Sequence, residues 1–145
     1  MKNSVQLLTV PVLALAAPMR SGTENGDKLR IRDASSVTCS NNFLVKVPSA
    51  QALADDLKAR PADDDFDIDA NVCHQLGCKN GAVSWLCNRT DMNSAAKANG
   101  LGAAIDTIIG NCQVPDGSGN MVVSGSADYD AGAYGITVSV TAGQC

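Results

Sequence analysis

Six cysteines, Cys39, Cys73, Cys78, Cys87, Cys112 and Cys145, constrain this chain more than any other feature. What they can do depends on the compartment, and the N-terminus bears on that. "MKNSVQLLTVPVLALAAPMR" has a basic Lys2, an apolar run from Val5 to Ala17 and a small-x-small site at Ala14-Leu15-Ala16. Those three parts in that order form a secretory signal peptide over residues 1–16, with cleavage after Ala16. The run is too short to span a bilayer, and no later segment approaches the ~18 apolar residues of a membrane helix. A secreted, extracellular protein is therefore expected. An even cysteine count in a small exported chain reads as three disulfides, for which spacing alone allows 15 pairings.

Residues 17–36 read as a disordered arm or propeptide. They are polar and without periodicity, and Leu29-Arg30-Ile31-Arg32 carries the spaced arginines of a processing site. Residues 37–145 then form one domain, large enough to bury about two-thirds of its unfolded surface. From Asp33 onward there are six Lys/Arg against thirteen Asp, a net charge of −7. Such a body argues against phosphate-backbone binding and against anionic membrane surfaces. Aromatic residues make up 3% of the chain, which disfavours platforms of several rings for stacking sugars or bases. The expected partner is an extracellular protein or cell-surface target. No nucleic acid and no membrane insertion are expected, and the chain is read as a monomer.

Periodicity gives the elements. "NFLVKV" (42–47) reads as a strand. Ser49 is a good N-cap for a helix with Ala50, Leu53, Ala54 and Leu57 on one face, stopped by Pro61. "DFDIDANVC" alternates, with Phe66, Ile68, Ala70 and Val72 on one side and aspartates on the other. "GAVSWLCN" is another strand, with Val83, Trp85 and Cys87 on one side. A second helix spans "SAAKANGLGAAIDTIIGNC", with Leu101, Ala104, Ile105, Ile108 and Ile109 as its stripe, Asp106 on the opposite face and Gly110 as its stop. Gly100 and Gly102 suggest close packing against a neighbour. "PDGSGN" is a turn, and "MVVSGS" and "YGITVSV" form a last hairpin. The order is β-α-β-β-α-β-β. It predicts an α+β fold, a two-layer α/β sandwich in which an antiparallel sheet with a split β-α-β core carries two helices on one face.

"CHQLGCKNGAVSWLCNRT" (73–90) concentrates the chemistry-bearing residues. Zinc would need Cys73, His74, Cys78 and Cys87 to converge, but Cys73 and His74 are adjacent and point opposite ways at a strand end. A Cys–His nucleophile needs a free thiol, and six paired cysteines leave none. Aligned from Asp65 as an EF-hand loop, "DDDFDIDAN" fails at Ala70 and Leu76. The only glutamate is Glu24, in the arm, so paired carboxylates for glycoside hydrolysis would have to be aspartates, and no spacing selects a pair. Gly117-Ser118-Gly119 lacks the P-loop lysine. No catalytic residue, metal or cofactor is expected. Asn88-Arg89-Thr90 is a glycosylation sequon at a strand-to-helix corner, so Asn88 is expected to be exposed and to carry a glycan in a glycosylating source.

The second half of the chain resembles a known family. A strand with a glycine start ("NGAVSWLCN") leads to a helix ending in cysteine ("AAIDTIIGNC"). A glycine-broken hairpin follows and the chain stops on cysteine ("ITVSVTAGQC"). From about Cys39 to Cys145 this resembles the KP-four-type fungal killer toxins and related small secreted effectors of plant-associated fungi. The resemblance implies an α/β sandwich with a split β-α-β core. It also implies the pairings Cys39–Cys112, Cys87–Cys145 and Cys73–Cys78, with Cys78–Cys87 the main competitor of the last. For function it implies a secreted toxin or effector that inhibits competitors or modulates host responses (a virulence role), through interference with a calcium channel in the toxins. There a lysine beside a half-cystine matters. Lys79 follows Cys78, and Lys79 and Asn80 are the candidate target contacts. The chain has fewer cysteines than the family prototype, an added "ADDDFDIDA" and an acidic surface. The alternative reading is a secreted polysaccharide-binding protein or a weak hydrolase using aspartates.

Overall fold

The computed structural model describes residues 29–31, 34–129 and 135–145. The expected signal peptide and, of the arm, residues 17–28, 32 and 33 lie outside them. In chain order the elements are β1 (Leu29–Ile31), β2 (Ala34–Cys39), β3 (Val45–Lys46), α1 (Val47–Lys58), β4 (Asp65–Ile68), β5 (Cys73–Lys79), β6 (Ala82–Asn88), β7 (Ser94–Lys97), α2 (Ala98–Cys112), β8 (Val114–Pro115), β9 (Met121–Val123), β10 (Gly125–Tyr129) and β11 (Ile136–Ala142).

Five strands make the main sheet, in the order β2-β10-β11-β6-β5, every neighbouring pair antiparallel. Strands β6 and β10 therefore point the same way with β11 between them, and α2 lies on the connection that joins them. That is the split β-α-β unit. Two three-stranded sheets, β1-β7-β4 and β3-β9-β8, flank it. The first combines a parallel pair, β1 with β7, and an antiparallel pair, β4 with β7. The α+β sandwich expected from the element order is the fold of the protein.

Both helices pack on one another and on one face of the main sheet. Strand alternation turns Leu86, Ala127, Ile136, Val138 and Val140 toward them, and Leu53, Leu57, Leu101, Ile105 and Ile108 fill the layer between. Each of these larger side chains contributes about 1.5–3 kcal/mol on full burial. The helices cross closely because Gly102 has no Cβ. One placed there would stand 2.7 Å from the Ala54 carbonyl oxygen and 2.7 Å from Lys58 Cγ. Gly100, by contrast, faces open space. Beside the crossing, Asp106 accepts hydrogen bonds from Lys58 Nζ at 2.7 Å and Gln51 Nε2 at 2.8 Å, tying α2 to α1. Hydrogen bonding to Asp106, then to Asp55, raises the Lys58 pKa above its ordinary value. Asp106 is thus an inter-helix link and not the idle outer residue its helical position suggested.

Several boundaries differ from those read in the sequence. Residues 29–31 and 34–36, assigned to the arm, lie in β1 and β2, because β7 and β10 offer them open ladders. Helix α1 begins at Val47 with Pro48 in its first turn and Lys46 at the cap. Ser49 is inside the helix and donates instead to the Asn80 carbonyl at 3.2 Å. Ser94–Lys97 is strand β7, since Ser94 and Ala96 pair with Ile68 and Phe66. That pairing overrides the helical propensity of alanine. Helix α2 runs through Gly110 to Cys112 and ends at an extended Gln113. The run "MVVSGS" divides at Ser124, β9 joining β3 and β10 joining β11.

Three disulfides close the molecule: Cys39–Cys112, Cys73–Cys87 and Cys78–Cys145. The first agrees with the resemblance and ties β2 to the end of α2. The expected Cys73–Cys78 and Cys87–Cys145 bridges are absent, as is Cys78–Cys87. Strand β5 explains why. Cys73 and Cys78 occupy one extended strand, five residues and roughly 16 Å apart, beyond disulfide reach. Cys73 instead lies directly opposite Cys87, with Cα atoms 4.0 Å apart. Cys145 leaves β11 at the Ala82 end of β6, far from Cys87 at the other end. The C-terminal tail crosses β6 at Val83, where Gly143 passes so closely that a Cβ would stand 2.5 Å from Val83 Cγ2. It reaches Cys78, whose register partner is Val83.

Thiol titration of denatured protein should give no free thiol, and peptide mapping should return these three pairs. By the loop-length model, removing Cys39–Cys112 or Cys78–Cys145 (separations 73 and 67) should cost about 4.4 kcal/mol, and removing Cys73–Cys87 (separation 14) about 3 kcal/mol. Denaturant midpoints of the paired Cys→Ser variants test the ordering. Ile105→Asp, at a fully buried position, should abolish folding, whereas Asp106→Ala should cost only about 0.5–1 kcal/mol because its ion pair is part-exposed. Thermal melts of the purified variants distinguish the two.

Candidate functional site

The residues singled out in "CHQLGCKNGAVSWLCNRT" are organised by one hairpin. Asn80 and Gly81 have φ of 50° and 81°, and Lys79 pairs with Ala82 across them. Two central residues with positive φ make the two-residue turn whose twist matches antiparallel strands, and Asn-Gly is its preferred sequence. A register shift between Gln75 and Gly77 inserts one residue into β5. Without it, Cys73 and Cys78 would face opposite ways, five residues apart. With it, both turn to the face of the sheet away from the helices, where Cys87 and the C-terminal tail meet them. The shift also breaks the regular ladder of an edge strand.

Lys79 emerges on the helix side. Its Nζ is 2.6 Å from Asp56 Oδ2 of α1, with both side chains partly exposed. The sequence presented Lys79 as one of few cations on an acidic body; the structure gives it a carboxylate partner that lies 23 residues earlier. Asn80, at the turn, is exposed. Its carbonyl accepts from Ser49, so the turn is anchored to α1 as well. His74 is exposed on β5, beside the Cys73–Cys87 bridge, and no free cysteine lies within its reach because none exists. In "DFDIDAN", Phe66 and Ile68 turn inward and Asp65 faces Lys97 at 3.5 Å. The described residues contain no group of His, Cys, Asp or Glu arranged to hold a metal ion.

The sequon is the largest correction. Asn88 is 1% exposed. Its Nδ2 donates to the carbonyls of Met92 at 2.8 Å, Asp69 at 3.2 Å and Ile68 at 3.5 Å. Its Oδ1 accepts from Thr90 N at 2.9 Å and Thr90 Oγ1 at 2.7 Å. One side chain thus ties the end of β4, the end of β6 and the 90–92 loop together. The Asn-x-Thr spacing, read as a glycan acceptor, is here the spacing of a turn closed by its own asparagine. A glycan on Nδ2 would have to occupy space filled by the protein and displace those hydrogen bonds. The sequence carried no sign of this, because the carbonyls that Nδ2 satisfies come from two other segments.

The remaining feature is the outer face of the main sheet. It carries Trp85 and Cys87 of β6, Ser126 and Asp128 of β10, Thr137 and Ser139 of β11, and their register partners on β2 and β5. The alternation of Val83, Trp85 and Cys87 was legible in the sequence. The hydroxyl-bearing strands beside them come from distant segments and were not. The chain matches no family model, no curated protein and no solved structure.

Protein produced in a glycosylating host should have the mass of the unmodified polypeptide at Asn88, and a folded form bearing a glycan there would contradict the buried geometry. Asn88→Asp keeps the Thr90 acceptor but removes the Nδ2 donor that three carbonyls share, only Met92 keeping Thr90 Oγ1 among the side-chain donors, and buries a charge. It should lose about 2–4 kcal/mol, read from chemical denaturation.

Proposed function

We propose that the protein is a secreted toxin- or effector-like protein that acts on another cell by binding an extracellular target, without catalysis. The observation that carries this reading is the bracing of one surface region by two disulfides. Cys73–Cys87 and Cys78–Cys145 fix both strands of the β5–β6 hairpin and the C-terminal tail, and the Asn80–Gly81 turn is anchored to α1 through Ser49. A surface held this way loses little conformational entropy on binding, which is the physical advantage of a rigid binder. Complete pairing of the cysteines suits an oxidising, extracellular destination. The resemblance to the killer toxins and fungal effectors supports the same class, with growth inhibition of competitors or modulation of plant host responses as the outcome. Lys79 remains the candidate contact that the resemblance points to, now as one half of an ion pair with Asp56.

The test applies purified oxidised protein to fungal cultures and to plant leaves, beside a reduced and alkylated control. Growth inhibition or leaf necrosis should be seen with the oxidised protein and lost in the control. Lys79→Gln should retain the melting temperature to within a few degrees, because an exposed ion pair contributes about 0–1 kcal/mol, and should lower activity. Relief of growth inhibition by added external calcium would favour a calcium channel as the target. Activity at neither cell type, with measurable glycoside hydrolysis instead, would replace this reading by the aspartate hydrolase.

A further inference from the structure

The outer face of the main sheet departs from what burial alone would select. Trp85, the single tryptophan of the chain, lies there half-buried, while the core is built from Ala, Val, Ile and Leu. A ring of that size gives the largest hydrophobic return when fully buried, so its outward placement is informative. Register defines its surroundings. Ser139 lies beside it on β11 and Gln75 on β5. Ser126 and Thr38 continue the row across β10 and β2. Five adjacent strands about 4.8 Å apart give a row of roughly 19 Å. In the next row Thr137 lies beside Asp128. Among the described outward side chains of these five strands Asp128 carries the only charge, and it accepts a hydrogen bond from Ser36 at 3.0 Å.

An acidic molecule, net charge −4, thus presents a nearly neutral strip of hydroxyls and amide around one indole ring. With no cation among the described outward side chains of these strands, Arg89 lying beyond the end of β6, the strip offers little to a phosphate or uronate chain. With one carboxylate already engaged, it offers little to a basic peptide. It matches an uncharged ligand that presents C–H faces to a ring and hydroxyls to hydroxyls, each of which both donates and accepts. We propose that this face binds a neutral polysaccharide, Trp85 stacking on a sugar ring and Ser126, Ser139 and Thr137 hydrogen-bonding to sugar hydroxyls. The Cys73–Cys87 bridge and the tail over Val83 flank Trp85 and hold the row in place before binding. A single ring supported by a hydroxyl row replaces the several rings that the low aromatic content excludes. This deepens the reading of the protein as a binder of a target outside the cell and rests on it.

Trp85 is its own reporter. Oxidised protein titrated with a soluble β-glucan (laminarin) and with a chitin hexamer should show a saturable change in tryptophan emission with at least one of them. Polygalacturonate should give none. Ser126→Arg and Ser139→Arg should each weaken binding at least tenfold without changing the melting temperature, and Trp85→Ala should abolish retention on the insoluble polysaccharide. The two arginine variants keep the test decisive if Trp85→Ala does not fold. No saturable change with either neutral polysaccharide and no retention on insoluble glucan or chitin would overturn the proposal. So would binding unaffected by both arginine variants, or binding to polygalacturonate alone. Growth inhibition or necrosis without polysaccharide binding would sink this proposal and leave the toxin or effector reading standing. Binding without any effect on cells would do the reverse.

Discussion

Two residues with positive φ, Asn80 and Gly81, set the pairing of β5 against β6, and most of the crosslinking follows from that register. The turn places Lys79 opposite Ala82. The one-residue shift at Gln75/Gly77 then turns Cys78 to the same face as Cys73. From there Cys73 can meet only the residue facing it, Cys87, and Cys78 is left for the tail arriving from β11. Had the turn contained one residue more, side chains would exchange faces along the strand, and the cysteines would point into the helix layer.

The opposite face of the same sheet depends on a different constraint, the close approach of two helices. Gly102 lets α2 settle against the Ala54 carbonyl. Leu101, Ile105 and Ile108 then reach the sheet, and the bridge from Cys112 to Cys39 fixes the far end of α2 to β2. The two faces have distinct chemistry as a result. The helix side is an aliphatic core. The outer side is polar, braced by the other two disulfides and interrupted by a single indole. A sandwich of this kind separates stability from display, so the outer face is free to vary in chemistry without loss of the core.

The Asn88 cluster shows how a local motif changes meaning with context. Its five hydrogen bonds tie the end of β4 and the 90–92 loop to the end of β6, one residue beyond the Cys73–Cys87 bridge. A three-residue pattern is sufficient for an enzyme to recognise in an unfolded chain. It is equally sufficient to close an asparagine turn in a folded one. Which of these a sequence uses depends on whether other segments supply buried carbonyls, and that is a tertiary fact.

By itself the sequence determined the α+β class, the two helix stripes, the terminal hairpin and the presence of three disulfides. These rest on periodicity and on cysteine count, which are properties of neighbouring residues and of composition. Only the tertiary structure decided the partners of Cys73, Cys78, Cys87 and Cys145, the strand state of Ser94–Lys97, the burial of Asn88, the ion pair of Lys79 and the hydroxyl row beside Trp85. Each of these depends on which segments lie side by side. Strand register and crossing distance between segments far apart in the chain are set by the packing of the whole core, and no local pattern encodes them.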